Sequence, residues 1–246
     1  MFFPTTQWSL LAKATLDGET QARGALEDLC RCYWAPLREF IRLRGYSEAD
    51  AEDLTQAFLL HLLEHSTLKK ADRLQGRFRS FLLGALVRFL GDQHDRRQAQ
   101  KRGGGAMHLS LDQQPVELAV SADPGTIGFD REWALVILEN ALQSLQNQFT
   151  AEQQERQFSV LRQFLPGAID PPAYETAAAQ LGLSLPAFKS ELHRLRRRFR
   201  AAVRQEVAST VSAPHEIDEE MVHLQQVLMD KGTVLAETGK PLPPVS

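Results

Sequence analysis

Seven of the sixteen residues from Lys189 to Arg204 are lysine or arginine, set against one carboxylate, Glu191. The chemistry open to such a run is the grip of a polyanion, because each cation can replace a counterion on a phosphate. Its apolar members, Phe188, Leu192, Leu195, Phe199 and Val203, recur at helical spacing and so share one face. Lys189, Ser190, His193, Arg194 and Arg197 then fall on the remaining faces, as side chains suited to base edges and phosphates. A second concentration runs from residue 69 to 102, with ten basic residues against three acidic. Here Phe78 and Phe81 interleave with Arg77, Arg79 and Ser80, followed by Arg88, Arg96, Arg97, Lys101 and Arg102. Rings stack on unpaired bases while cations follow the backbone, so this order suits single-stranded nucleic acid. The plainer account is a solvated basic face over core phenylalanines, and for a single run it would be preferred. Two runs in one chain ask for more than that.

The formal net charge of −3, from 28 basic and 31 acidic residues among 246, conceals this sorting. The two basic stretches stand at +7 and +6, whereas residues 103–156 stand at −6. The longest stretch without a polar residue, Phe81 to Val87, falls far short of the roughly 20 residues of a membrane span. Met1-Phe2-Phe3-Pro4 lacks a basic start and a sustained apolar stretch, so no secretory signal is expected. Two cysteines in such a length fit a reducing cytoplasm, which is the expected location.

The elements that must position these residues are helical throughout. Tyr174 to Leu181 predicts a short helix, Gly182 a left-handed turn, and Ser184 the cap of the next helix, with Pro186 in its first turn. Ala178, four residues before the glycine, suits a close crossing of the two. That is a helix-turn-helix, whose second helix enters the major groove. Upstream, Leu26, Leu29, Tyr33, Leu37 and Phe40 follow the helical period, and Ser47-Glu48-Ala49-Asp50 is a capping box. The helix it opens buries Ala51, Leu54, Phe58 and Leu62. A further helix begins near Phe78. From Gln98 the glycines 103–105, 125 and 128 with Pro115 and Pro124 predict a flexible linker. A second helical block starts near Arg131, and Thr150-Ala151-Glu152-Gln153 offers another capping box. Glu216 to Met229 is an amphipathic helix, and Gly239 to Ser246, with three prolines, is expected to be disordered. The expected fold class is all-α: a helical domain over 1–98, a linker over 99–130, a helix-turn-helix domain over 131–212, and an extension with tail over 213–246.

This order of acidic helix, aromatic and basic helix, linker and helix-turn-helix resembles a bacterial RNA polymerase sigma factor of the extracytoplasmic-function type, over about residues 22–210. The resemblance implies that Asp50, Glu52, Asp53, Leu54 and Gln56 bind the coiled coil of the largest subunit of core RNA polymerase. It implies that Phe78, Arg79, Ser80, Phe81, Arg88, Arg96 and Arg97 melt and read the minus-ten element of promoter DNA. Lys189, Ser190, His193, Arg194 and Arg197 would read minus-thirty-five, and the acidic linker would thread into polymerase. The chain departs from the common pattern at Ala57, Phe81 and Arg88, where the family more often has an acidic residue, tryptophan and asparagine. These departures bear on which minus-ten bases are read.

Thr55 places a hydroxyl inside the polymerase-binding helix, where phosphorylation would add roughly two negative charges. A Ser/Thr kinase and an anti-sigma factor are accordingly candidate regulators. His61-Leu62-Leu63-Glu64-His65 matches an inverted zinc-protease pattern, but Lys69 and Lys70 follow where a third ligand would be sought, so no metal is expected. Cys30 and Cys32 point about 200° apart on a helix and cannot share an ion. With no Ser-His-Asp order, phosphate loop or dinucleotide fingerprint, neither enzymatic catalysis nor a cofactor is expected. The competing readings are a stand-alone helix-turn-helix regulator, which would not need the first domain, and a helical adaptor, which would leave both basic stretches idle.

Overall fold

The computed structural model of the chain describes residues 19–64, 77–101, 123–211 and 213–229. Among these residues the fold is all-α, with eight α-helices and no strand. The helices are α1 (Glu19–Leu43), α2 (Glu48–Glu64), α3 (Phe78–Lys101), α4 (Pro124–Ala151), α5 (Glu155–Leu161), α6 (Tyr174–Gln180), α7 (Leu185–Ser209) and α8 (Glu216–Met229). Two compact units divide the chain: one runs to Ala134 and resumes at Ala208, and the other spans Leu135–Val207.

In the first unit the described periodic apolar positions form the core as their spacing requires, while the side chains of Leu26 and Leu29 lie outside the described residues. Tyr33, Leu37, Phe40 and Ile41 of α1 are fully buried, as are Phe58 of α2, Phe78, Leu82 and Leu86 of α3, and Phe129 of α4. Tyr33 lies 5.2 Å from Phe78 and 6.4 Å from Phe129 between ring centroids, so one tyrosine joins three helices. Ser47 caps α2 as expected: its hydroxyl accepts from the Asp50 amide at 3.2 Å. Ala51, Leu54, Phe58 and Leu62 are all buried beneath it.

The stretch expected as linker is helical from Pro124 onward, and α3 continues to Lys101. Pro124 stands in the first turn of α4, where a missing N–H costs nothing, and the Asp123 carbonyl accepts from the Thr126 and Ile127 amides. Gly125 and Gly128, taken as signs of flexibility, serve close approach instead. A Cβ on Gly128 would come within 2.3 Å of Leu43 Cδ1, and one on Gly125 within 3.2 Å of the Phe40 carbonyl oxygen. Glycines 103–105, Pro115, the acidic residues 112 and 117, His65 and the tail from Gly239 lie outside the described residues.

In the second unit Ile137, Ala141, Leu145, Phe149, Phe158, Leu161 and Phe164 are buried, with Phe149 against Phe158 and Phe164 against Tyr174 of α6 and Phe188 of α7. Thr150 does not cap a helix: α4 runs through it to Ala151, Gln153 turns left-handed at φ +56°, and α5 starts at Glu155.

Candidate nucleic-acid interface

The turn between α6 and α7 is closed by two backbone bonds. The Leu183 N–H donates to the Ala178 carbonyl at 2.9 Å, and the Gly182 N–H to that of Ala179 at 3.0 Å. This paired closure needs a left-handed residue after the helix, and Gly182 supplies it at φ +66°. Ala177 and Ala178 are buried, as the close crossing requires. Arg156 adds a side-chain bond to the Gln180 carbonyl at 2.8 Å, satisfying an acceptor that α6 leaves open. Ser184 opens α7: its carbonyl accepts from the Phe188 amide at 2.9 Å, and its hydroxyl lies 3.4 Å from the Ala187 nitrogen.

On α7, Phe188, Leu192, Leu195, Phe199 and Val203 are buried. Lys189, Ser190, His193, Arg194 and Arg197 are all exposed, and the first four line a shallow open concavity. Ser190 donates back to the Pro186 carbonyl at 3.1 Å, and Arg194 is ion-paired with Glu191 one turn earlier. Glu191 therefore holds an arginine in place, which accounts for a carboxylate in this helix.

Of the four further cations on α7, Arg200 and Arg204 are exposed and the other two bond within their own unit. Arg198 pairs with Glu152 at 2.8 Å, reaches Gln148 at 3.2 Å, and lies 4.3 Å from the Phe149 ring centroid. Arg196 donates to the Phe164 carbonyl at 3.3 Å. These two basic residues brace α7 within its own unit, a distinction that charge counting does not make.

In the first unit the aromatic and basic helix α3 is divided in the same way. Ser80, Arg88 and Arg96 are exposed, and Phe81 is half-buried. The side chain of Arg97 lies outside the described residues. Phe78 is core, and Arg79 is buried: its Nη1 donates to Asp130 at 2.9 Å and its Nε to Glu220 at 3.0 Å. Arg79 also lies 5.6 Å from the Trp133 ring centroid. Both are withheld from any partner in this conformation.

Along α2, Asp50, Glu52, Asp53 and Gln56 are exposed, so one helix presents an acidic and amide face. Arg38 approaches Glu48 and Glu52 from α1. Leu54 faces the core instead. An apolar member of the outer surface, Leu60, was missed, although its place seven residues after Asp53 puts it on the same side. Thr55 is fully buried, and its hydroxyl donates to the Ala51 carbonyl at 2.7 Å, so it is not displayed for modification. His61 packs beside Phe89, 5.4 Å between ring centroids, and burial pushes the Cys30 thiol up, away from the thiolate that ligation or attack requires. No described helix is long and apolar enough to cross a membrane.

A family model described as "ECF sigma factor" matches residues 7–205. No curated protein matches the chain, and no solved structure does.

Proposed function

The chain belongs to the ECF sigma factor family, a family of transcription initiation factors, and from that premise we propose how its surfaces divide the work. The α7 face of Lys189, Ser190, His193, Arg194 and Arg197 reads the minus-thirty-five element. On α3 the exposed Ser80, Arg88 and Arg96, with the half-buried Phe81 and with Arg97, engage the minus-ten element as its strands part. The face of Asp50, Glu52, Asp53 and Gln56 docks on core RNA polymerase, a basic counterpart being the natural partner for three carboxylates. The protein acts in the cytoplasm, and its chemistry is binding and strand separation, with no covalent step and no cofactor.

The observation that carries this reading is the sorting on α7. The five residues chosen for DNA all face solvent; Arg196, Arg200 and Arg204 are exposed as well, and Arg198 alone among these cations is half-buried, against Glu152 and Gln148. A buried apolar stripe backed by a run of solvent-facing cations directly after a helix-turn-helix turn suits the grip of a polyanion.

Run-off transcription with core RNA polymerase over a promoter library, with and without the protein, tests it. Promoter-dependent transcripts that require the protein are expected. A protein that instead shifts duplex DNA alone, with steep salt dependence, and gives no transcript is a stand-alone regulator.

A further inference from the structure

The match to the family model ends at residue 205, and α8 begins at Glu216. This added helix lies on the minus-ten element of the fold. Glu220, 1 % exposed, places its carboxylate 3.0 and 3.3 Å from Arg79 Nε and 2.8 Å from Arg77 Nε. Glu219 takes Arg77 Nη2 at 2.6 Å. Asp130 holds the other edge of Arg79, and His223 of α8 lies 3.0 Å from the second oxygen of Asp130. The segment leading into α8 also receives the first amide of α3, through Phe78 N–H to the Thr210 carbonyl at 3.1 Å.

We propose that α8 is an intramolecular competitor of the minus-ten strand, whose carboxylates occupy the guanidinium groups that DNA phosphates would otherwise engage. This rests on the sigma-factor reading of α3 given above. Carboxylate and phosphate are equivalent acceptors for the planar fork of arginine, so α8 and the DNA backbone bid for the same donors. The way α8 is held makes it displaceable. A helix that braces a core buries an apolar stripe, whereas on α8 Leu224 is the one apolar side chain fully buried among the described residues. Val222 and Met229 stand exposed at 53 % and 74 %. Ile217, Met221, Val227 and Leu228 are only half-buried, so the apolar hold is partial, and the contacts of Glu219 and Glu220 that complete it are ionic, of a kind that exchanges for others like it. Displacing α8 frees Arg77 and the Nε edge of Arg79, whose Nη1 stays with Asp130 of α4, and so couples promoter engagement to release of the extension.

The test measures how tightly holoenzyme, assembled from core polymerase and full-length protein, binds a fluorescent single-stranded minus-ten oligonucleotide taken from a promoter recovered in the run-off library. Glu220→Gln is expected to tighten binding by about fivefold or more. The double variant Glu220→Gln with Arg79→Gln should keep only the part of that gain that comes through Arg77. Glu219→Gln, which releases only Nη2 of Arg77 while its Nε stays with Glu220, and which removes an exposed carboxylate, should tighten it by about twofold, on the order of a weak exposed ion pair. A folded Glu220→Gln protein that binds the oligonucleotide no better, or worse, than the parent overturns the proposal. If circular dichroism shows that Glu220→Gln does not fold, the decision passes to Glu219→Gln, and unchanged binding there overturns it. Absence of any promoter-dependent transcript with the parent protein is a different result, which defeats the sigma-factor reading itself.

Discussion

Arg79 and Asp130 meet at 2.9 Å although 51 residues separate them in the chain, and both side chains are largely buried. A buried guanidinium that loses one of its carboxylates keeps the cost of burial without full compensation. Asp130→Ala should therefore destabilise the first unit by about 3–5 kcal/mol, the usual penalty for breaking such a pair from one side. Urea unfolding followed by circular dichroism measures it. A loss under about 1 kcal/mol would mean that the pair behaves as an exposed one.

The two classes of arginine on α7 should separate by salt. Lys189→Ala and Arg197→Ala, on the exposed face, should each weaken promoter binding and lower the slope of log affinity against log salt by about one. Arg198→Ala should leave that slope unchanged. It gives up the Glu152 pair and the Phe149 contact, and should cost about 1 kcal/mol of stability instead. A lowered slope for Arg198→Ala would show that this side chain also reaches phosphate.

Thr55 is the residue at which a regulatory idea meets its packing. The hydroxyl is fully buried and already bonded to the Ala51 carbonyl, so a charge there has no water and no cation. Thr55→Glu should unfold the first unit or lower its thermal midpoint steeply, by several kcal/mol in free energy. Thr55→Ala should change affinity for core polymerase less than about twofold, since an exchanged buried hydroxyl leaves the exposed face intact. A folded Thr55→Glu protein with a selective loss of polymerase binding would restore the switch.

Most of what could be read ahead of the structure depends on local spacing, although the local capping pattern at Thr150 misled because α4 runs through it. The stripe from Phe188 to Val203, the left-handed Gly182, the cap at Ser47 and the bounds of α8 each follow from a handful of neighbouring residues. What could not be read depends on distant partners. Gly125 and Gly128 look alike whether they loosen a linker or let α4 approach Phe40 and Leu43, and only the second helix decides. Arg79 has the composition of a DNA contact, but Asp130 and Glu220, far away in sequence, claim it. Arg198 differs from Arg197 by one position, and that position turns it toward Glu152.

Gly182 offers a test of the turn free of packing effects. A Cβ there would meet no atom within 4 Å, so the cost of Gly182→Ala is that of the left-handed backbone alone. The second unit should lose about 1–2 kcal/mol. Duplex affinity at a temperature where the variant is fully folded should be unchanged within about twofold, because the exposed face of α7 is untouched. A large affinity loss in a fully folded variant would show that the turn sets the angle of α7 in the groove.

Glu206 gives a pH dependence with a definite sign. Burial raises its pKa above the ordinary 4.5, and a hydrogen bond from Asn140 offsets only part of that. A carboxyl whose folded pKa lies above its unfolded value favours the folded state most when protonated, below the unfolded value. That contribution is lost as pH rises through the folded pKa. At neutral pH the ionised group consequently weighs against folding. Glu206→Gln removes the charge and keeps the shape and a hydrogen-bonding oxygen, so it should raise the stability of the second unit at pH 7. The gain should shrink toward zero as pH falls below about 4.5, where Glu206 is protonated in both states. Glu39 has the opposite sign: its hydrogen bond from Arg42 lowers its pKa, so its contribution is present at neutral pH and lost on acidification. Thermal melts of the parent, Glu206→Gln and Glu39→Gln across pH 3.5 to 8 should therefore diverge in opposite directions at neutral pH and converge in acid. A Glu206→Gln protein less stable than the parent at pH 7 would mean that the Asn140 bond outweighs burial.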